Sequence, residues 1–539
     1  MKKSILFFLN KNDLLFLIFS FFGVFLFGLT KLISTVLSVD TYWYLKLCFY
    51  LILFTGFLFT KRKDIDSTLL YGLYFFYSFI VFYLYFSPLY ISDTELENFL
   101  ISNNVFFIIK WHFYISIFFL ILSFFRPLLG FFILIIFFYK KKFINEFYGF
   151  NISSTDWLNV YEFFVLFILL IFSQQIFLKL KSYGKINYLN FQNIDIKNFQ
   201  FYFFLICVAI HFASYFYSGL AKAGIINHLS NIEFSTWFLN NDTNNIILAS
   251  WYAKTFPLAA YEKLASQSYQ VAQIINTPLN IIVIFSQLFC IICFFRISLI
   301  KYFCVLFDII HISIFFLTGI FFWKWITLNL IIFFVVRKYE KVNINYLKKF
   351  TYIFFILFSF NLFFVAKLAW FDSKSMNASF FEAVDKKGKI YKVPSNYFGN
   401  LSLPIAQMRL GREFEGYFKT GVYASIYDYK NYDKSNQCSL EVDNYKEALT
   451  NEKFQKIKKI VQSHHEYILG NLNNFGRIKY DNYGHHIWSN PFLYKDFNRL
   501  DKRNIVSYNY VIQAVCLDFI NNNFKPTIIK KHNYEIDLK

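Results

Sequence analysis

Runs of about 20 apolar residues recur through the first 370 residues of this 539-residue chain. A helix that rises about 1.5 Å per residue spans the ~30 Å hydrocarbon core of a bilayer with a run of that length. The runs do not alternate apolar and polar residues, as membrane β-strands do. The sequence therefore predicts a mainly α-helical fold, with a polytopic transmembrane helical bundle over residues 1–370 and a small α+β extramembrane domain over residues 371–539.

The apolar runs predict nine to eleven transmembrane helices. Arg126-Pro127 and Trp323-Lys324-Trp325 each interrupt a long run, and we interpret each interruption as a hairpin turn because a charge at mid-bilayer is costly. The mixed 222–272 segment predicts interfacial or re-entrant helices over the outer mouth of the bundle. The candidate spans are 14–37, 42–60, 68–90, 102–124, 127–139, 157–179, 199–221, 273–295, 303–322, 323–337 and 349–369.

The basic residues predict the orientation and the partners. The net charge of +20 comes from 54 Lys and Arg against 34 Asp and Glu. Loops rich in Lys and Arg stay cytoplasmic, which places the C-terminal domain outside a cell inner membrane when eleven spans are counted. Lys140-Lys141-Lys142 opposes this scheme. Because the basic residues flank apolar runs, we expect them to meet membrane lipid rather than nucleic acid, and no nucleic-acid motif occurs.

One predicted helix carries a polar stripe. His211, Tyr215, Ser218 and Lys222 follow one another at intervals of four, three and four residues, which returns to nearly the same helical face. Gly219 beside them allows close approach of a second helix. The stripe predicts either an internal cavity in which Lys222 acts as a base or nucleophile, or a packed face on which the hydroxyls are satisfied and Lys222 reaches toward the helix end.

Asp308 and His311 lie one turn apart on a later predicted helix. They could contact each other, or Lys222 or Lys324 across the bundle. A buried acid and base of this kind predict either a proton relay or a pair that fixes helix packing.

The C-terminal region predicts a helix near 450–470 and short strands at 390–393 and 421–423. Cys438 and Cys516 could pair if this region faces an oxidising compartment. His464-His465 and His485-His486 are adjacent pairs without a metal-site motif, so we predict no metal.

The segment Tyr215-Phe216-Tyr217-Ser218-Gly219-Leu220-Ala221-Lys222 is similar to the Tyr-x-x-Ser/Ala-Gly-x-x-Lys segment of HTTM-domain membrane proteins, the superfamily that contains vitamin K-dependent gamma-carboxylase. Ser154-Thr155-Asp156 looks like its Gly-Gly-Asp helix entry, and the 308–322 region looks like its histidine-containing helix and glycine turn. A histidine that carboxylases have near the helix entry is missing in 153–160.

The resemblance implies an enzyme with a pocket for a reduced quinone similar to vitamin K hydroquinone. Lys222 matches the lysine proposed as the base that deprotonates the hydroquinone in the carboxylases, after which a glutamate γ-proton is abstracted and carbon dioxide adds. On this interpretation His211, Asp308 and His311 join Lys222 as catalytic candidates. Tyr215, Ser218 and Gly219 are cofactor-binding candidates, and a protein or peptide substrate docks on the C-terminal domain.

Two other functions stay open. The same bundle predicts a non-enzymatic membrane protein, such as a transport-like or immunity-type factor, in which the polar stripe is a substrate path or a packing device. A membrane-bound acyltransferase is suggested only by the membrane-embedded His311.

Overall fold

A computed structural model describes most of the two predicted regions. The described residues are 11–35, 43–87, 89, 91, 110–148, 156–182, 196–225, 237, 239, 241–368, 370–406, 410, 418, 424–425, 438, 449–478 and 487–538. The predicted helix entry at 153–155, the predicted strand at 421–423 and His485-His486 lie outside them.

Helices account for nearly all of the described part of residues 1–368. The six that are long and apolar enough to cross a membrane lie at Asn12–Ser34, Ser67–Phe86, Trp157–Leu180, Asn198–Lys222, Glu262–Phe294 and Ser298–Thr318. The prediction of a membrane-spanning helical bundle is thereby confirmed in outline, whereas the count of nine to eleven is not. The remaining apolar helices are shorter or less apolar: Trp43–Phe57, His112–Phe125, Phe131–Tyr148, Trp323–Tyr339 and Tyr346–Phe358.

Several helix ends differ from the predicted spans. The chain breaks at Arg126-Pro127 as predicted, but the second break falls at Gly319, whose φ of 75° ends the helix before Trp323. The helix predicted at 273–295 begins already at Glu262. The helix predicted at 349–369 ends at Phe358. Hydropathy alone misses the end at Phe358 because an apolar extended segment and an apolar helix have the same composition. It misses the start at Glu262 because the first turns of that helix are largely polar.

The helix Ile196–Lys222, called the central helix below, is the most enclosed of the six. It packs against the helices that begin at Asp156, Glu262 and Tyr346. Its own apolar side chains are buried on all sides. Fully buried among them are Phe201, Leu205, Ile206, Val208 and Phe212. An apolar helix that is covered all round belongs in the middle of a bundle.

The two ends of the bundle carry different partners. Ion pairs join Lys348 to Asp13 at 2.6 Å and Lys338 to Asp66 at 3.8 Å. These contacts bring the start of the chain, the 61–66 loop and the 337–348 loop to one end. At the other end Gly319 accepts a backbone hydrogen bond from Trp488 in the C-terminal region.

The C-terminal region contains a four-stranded antiparallel sheet. Its strands are Ser375–Asp385, Ile390–Val393, Ile505–Ile520 and Asn523–Asp537, and the second, first, third and fourth lie side by side in that order. Helix Asn451–Gly470 covers one face and confirms the predicted helix, while Ile390–Val393 confirms a predicted strand. Cys438 and Cys516 form a disulfide.

The other face of the sheet packs on the membrane bundle. Met376, Ala378 and Val515 share one apolar core with helix Asn244–Tyr252 and with Tyr269 of the following helix. The 222–272 segment, where interfacial or re-entrant helices were predicted, thus contributes the surface that joins the two regions.

Candidate functional site

All four residues of the predicted stripe are buried. His211, Tyr215, Ser218 and Lys222 have exposed fractions of 0, 3, 2 and 6%. A polar side chain at this depth costs free energy unless it is hydrogen-bonded. The partners of each residue therefore decide what the stripe does.

His211 lies between two asparagine side chains. Its Nδ1 is 2.6 Å from Asn159 Oδ1, and its Nε2 is 3.0 Å from Asn329 Oδ1. Asn159 comes from helix Asp156–Ser182 and Asn329 from helix Trp323–Tyr339. The imidazole thus joins three helices through two amides.

Asn329 extends this contact to a carboxylate. Its Nδ2 donates to Asp308 Oδ1 at 2.7 Å and to the Tyr215 hydroxyl at 3.1 Å. The four side chains of His211, Asn329, Asp308 and Tyr215 form one connected network, called the amide-bridged network below. Asn329 alone touches the other three members.

The amide-bridged network has two arrangements in which donors face acceptors. In the first, both His211 nitrogens carry protons and donate to amide oxygens, while Asp308 is a carboxylate that accepts from Asn329. In the second, the Asn329 amide is turned over, so that its NH₂ donates to His211 Nε2 and its oxygen accepts from a protonated Asp308. The two arrangements have the same net charge and differ in whether His211 or Asp308 carries the extra proton.

Aromatic rings enclose the tyrosine of this network. The Tyr215 ring stacks on Phe307 with centroids 3.7 Å apart, and Trp325 approaches it edge-on at 5.1 Å. The His311 ring lies 5.8 Å from Tyr215 and 5.2 Å from Phe322. Tyr215 and His311 are therefore packed among protein side chains, and His311 contacts Tyr215 rather than the other candidate base, Lys222.

The lower half of the stripe binds an extended piece of chain. After the helix that ends at Phe358, residues 362–368 run alongside the central helix without forming a helix of their own; we call them the strap. Ala366 N donates to Ser214 Oγ at 3.2 Å, and Leu368 N donates to Ser218 Oγ at 2.8 Å. Non-helical backbone at membrane depth is tolerated only where protein satisfies its polar groups. The serines of the central helix do so here.

Glu162 and Asn159 bond the strap at Phe364, nearer its N-terminal end. Phe364 N donates to Glu162 Oε2 at 2.5 Å, and Asn159 Nδ2 lies 3.4 Å from Phe364 O. Glu162 is also paired with Lys31 at 2.8 Å. Asn159 therefore contacts both the strap and His211, and it connects the strap with the amide-bridged network.

Lys222 ends the stripe beside the strap. Its Nζ donates to Leu368 O at 2.7 Å and to Gln287 Oε1 at 3.1 Å, and it lies 5.5 Å from the Trp237 ring centroid. Within the described part of the chain, the amine forms no ion pair with a carboxylate. It is held by two neutral oxygens and one aromatic face.

Gly219 allows the helix that carries Gln287 to approach, as the sequence predicts. A Cβ atom at Gly219 would lie 3.0 Å from both Gln287 Cβ and Leu288 N. Such contacts are shorter than ordinary packing permits. The absent side chain thereby lets the Glu262–Phe289 helix bring Gln287 to Lys222.

The structure joins some of the predicted site residues and separates others. His211, Tyr215 and Asp308 meet through Asn329, with His311 against Tyr215. Among the residues that the structure describes, Asp308 forms no ion pair with Lys222 or Lys324. Sequence reasoning missed Asn159, Asn329 and Ser214, although asparagines inside apolar runs are a usable signal because each needs buried partners.

Comparisons with known proteins supply no further information on this site. No protein-family model, curated protein or solved structure matches the chain. The assignment to the HTTM-domain family therefore stays a hypothesis that rests on the short motifs quoted above.

Proposed function

We propose that this protein is a multi-pass membrane enzyme in which Lys222 acts as a base toward a reduced quinone-like lipid. The reaction would be a carboxylation or a related oxidation, similar to that of vitamin K-dependent gamma-carboxylase. The observation that carries the proposal is the setting of the Lys222 amine, which is buried and held by neutral oxygens. An amine without a carboxylate partner can exchange its proton with a substrate hydroxyl.

The groups around Lys222 are compatible with a planar aromatic ligand that bears hydroxyls. The Trp237 ring offers a flat apolar surface, and Gln287 Oε1 offers a hydrogen-bond acceptor beside Lys222 Nζ. A bound reduced quinone would supply an acidic hydroxyl and reducing equivalents. Lys222 Nζ would take the proton, and Gln287 would orient the amine.

Tyr215 and Ser218 have a smaller part in this proposal than the family resemblance implies. The Tyr215 face is covered by Phe307, and Ser218 is bonded to the strap. Both then act by positioning the central helix, and Lys222 is the residue of the stripe that would touch the ligand.

A turnover assay with two lysine variants tests the proposal. Purified protein in nanodiscs is given vitamin K hydroquinone, bicarbonate and oxygen, and hydroquinone oxidation is followed by absorbance. Lys222→Arg keeps a donor for Leu368 O but removes an amine that readily loses its proton. We expect it to reduce turnover by about 100-fold or more. Lys367→Met removes an exposed positive charge next to Leu368 and should retain turnover.

The proposal fails if the wild-type protein shows no hydroquinone-dependent turnover, or if Lys222→Arg turns over at the wild-type rate. Lipid extraction followed by mass spectrometry gives an independent readout. A quinone that copurifies with the wild-type protein and is depleted in Gln287→Leu would support the ligand assignment.

A second candidate is a non-enzymatic membrane protein, and the strap favours it. Ser214, Ser218 and Lys222 all bond the strap backbone, so the stripe has a complete structural role without a ligand. On this reading, Lys222→Arg preserves the biological phenotype, whereas Lys222→Met impairs it in proportion to lost stability. On the enzymatic reading, both variants abolish it.

For orientation, we propose that the C-terminal domain faces the extracytoplasmic side of a cell inner membrane. The Cys438–Cys516 disulfide supports this, because such bonds persist in oxidising compartments. The basic 61–63 and 337–338 segments lie at the opposite end of the bundle, where the positive-inside rule places them in the cytoplasm. Alkaline phosphatase fused after Lys539 should be active and green fluorescent protein dark; the reverse pattern would contradict the assignment.

A further inference from the structure

Two lysines lie near each other where the C-terminal sheet rests on the membrane bundle, since Lys392 Nζ is 5.5 Å from the ring centroid of Tyr252, two residues before Lys254. Lys254 follows helix Asn244–Tyr252, and Lys392 lies on strand Ile390–Val393. Both side chains are half-buried. Burial, together with the nearby positive charge of Lys254, lowers the pKa of Lys392 to about 8. The pKa of Lys254 is also lowered, by burial.

Aromatic rings rather than carboxylates surround the two amines. Lys392 Nζ lies 4.0 Å from the Phe380 centroid and 5.5 Å from that of Tyr252, while Lys254 Nζ lies 5.2 Å from that of Tyr494. Glu382 is the cross-strand neighbour of Lys392 and acts on it only through space. Within the described ranges, neither lysine is within ion-pair distance of an acid.

The backbone at Lys254 is held in an unfavourable conformation. Its φ of 58° lies in the left-handed region, which a lysine adopts rarely. Lys254 O accepts from Asn490 N at 3.0 Å, and Lys254 N donates to Trp251 O at 3.1 Å. Strained residues fixed in this way are common at binding sites. Here the backbone hydrogen bonds fix Lys254 at the junction although its conformation is unfavourable.

We propose that Lys254 and Lys392 form a binding site for an oxyanion, a phosphate or a carboxylate, at the junction of the sheet and the bundle. The two half-buried ammonium groups repel each other, and no described acid lies within ion-pair distance of either, so an anion between them would offset the repulsion. Tyr252 joins the helix before Lys254 to the sheet that carries Lys392, because its hydroxyl donates to Gln513 Oε1 of the sheet at 2.5 Å. The site is independent of the proposed reaction at Lys222.

Anion-dependent stabilisation of the full-length protein tests the site. In nanodiscs of zwitterionic phosphatidylcholine at pH 7, inorganic phosphate should raise the thermal midpoint by about 2–4 °C over chloride of equal ionic strength. The concentration for half the effect should rise about tenfold in Lys392→Gln and in Lys254→Asn. Asparagine tolerates the left-handed backbone, so the second variant removes the charge without adding strain.

Controls separate this effect from general salt effects and from folding defects. Lys387→Gln removes an exposed lysine from the turn between two strands of the same sheet and should respond as wild type does. Lys392→Arg keeps the charge and should keep the response. A phosphate effect of equal size in wild type, Lys392→Gln and Lys254→Asn would overturn the proposal, as would the absence of any anion effect.

Two further arms identify the source of the anion. If a lipid headgroup occupies the site, nanodiscs with phosphatidylglycerol raise the midpoint without added phosphate, and this rise is lost in Lys392→Gln. If the anion is free, phosphate acts in phosphatidylcholine alone. Either result supports the site, and in both cases the effect should fade above about pH 8, where Lys392 loses its proton. Lys254 and Glu382 are the charged neighbours that set this titration; an effect unchanged at pH 9 would count against the site.

Discussion

Two membrane-length helices of similar hydropathy have opposite surroundings. Within its most apolar stretch, 89% of the central helix is buried inside the protein, against 22% of helix Ser298–Thr318. The mean hydropathies of these stretches are 1.7 and 2.0. Both helices carry buried polar side chains, but on Ser298–Thr318 the acid and the histidine lie on an inward face: Asp308 is 8% and His311 4% exposed, whereas Ile309, beside Asp308, is 55% exposed.

The comparison separates two kinds of information in an apolar run. Total hydropathy indicates that a helix is in the membrane, while the placement of its polar residues indicates which side faces protein. In the central helix polar groups face several neighbours, so it lies in the middle. In Ser298–Thr318, Asp308 and His311 face the helix with Asn329 and the central helix, whereas Ile309 and Ile312 on the other side are exposed.

The largest expected effect is loss of the amide bridge. Asn329→Leu leaves His211, Asp308 and Tyr215 without their shared partner and should lower the free energy of unfolding by about 3–5 kcal/mol. Unfolding in mixed micelles measures it. Leu330→Ala, on the 45% exposed face of the same helix, is the control and should change stability by less than about 0.5 kcal/mol. Equal effects would show that the network contributes nothing specific.

Matched apolar substitutions sharpen the contrast between the two helices. Ile206→Ala in the central helix creates a cavity at a fully buried position and should cost about 2–4 kcal/mol. Ile312→Ala in Ser298–Thr318 affects a side chain that is 42% exposed, where lipid fills the space, and should cost under about 0.5 kcal/mol. The same unfolding measurement compares the two variants. A larger loss of stability in Ile312→Ala than in Ile206→Ala would contradict the central position of the helix Ile196–Lys222.

A buried histidine in the C-terminal domain extends the comparison of buried and exposed positions to the region outside the membrane bundle. His465 lies on helix Asn451–Gly470 with Nδ1 3.1 Å from the Tyr508 hydroxyl, and burial lowers its pKa to about 4 from an ordinary value of 6.5. The unfolded chain therefore binds a proton first as pH falls. Stability should be complete above about pH 6.5 and decline by up to about 3 kcal/mol toward pH 4.

Hydrogen exchange of the Asn451–Gly470 helix at pH 7, 5.5 and 4.5 measures this loss, with rates corrected for intrinsic chemistry. His465→Gln lacks the titrating group and should show a flatter dependence. If wild type and His465→Gln decline in parallel, other groups cause the pH dependence.

The smallest expected effect concerns Gly219, which lies beside the polar stripe. Gly219→Ala places a methyl 3.0 Å from Gln287 Cβ and should cost about 1–2 kcal/mol by moving the two helices apart. Gly28→Ala, also inside a membrane helix, meets no atom within 4 Å and should be neutral or slightly stabilising. A turnover or phenotype assay on Gly219→Ala also shows whether Gln287 must reach Lys222.

Much of the architecture could be predicted from local sequence. Run length identified the membrane region, period-3.6 spacing placed His211 and Lys222 on one helix, and Pro127 marked a turn correctly. These signals are local because backbone hydrogen bonds in a membrane are satisfied within each helix. The possible pairing of Cys438 with Cys516 was also seen, although spacing could not decide it.

What could not be predicted depends on contacts between distant residues. The composition of the strap predicts the end of a membrane helix, since Phe364, Val365 and Leu368 are apolar. Its bonds to distant residues, among them Asn159, Glu162, the two serines and Lys222, explain why it is not helical. The contacts of Lys140-Lys141-Lys142 could not be predicted from the sequence either. Lys140 donates to Ser87 O, Lys141 donates to Tyr83 OH and Lys142 pairs with Glu146, so these lysines, which oppose the predicted orientation, have specific partners within the protein.

The strap and the central helix have nearly matching repeats. Ser214, Ser218 and Lys222 recur every four residues, a rise of about 6.0 Å along a helix. Their partners Ala366 and Leu368 recur every two, about 6.6 Å along an extended chain. A one-residue shift of the strap would present the wrong edge of its backbone to the serines, so the hydrogen-bonded register repeats every two residues of the strap. The two repeats differ by about 0.6 Å per step and the difference accumulates, so only a few consecutive hydrogen bonds of this kind can form.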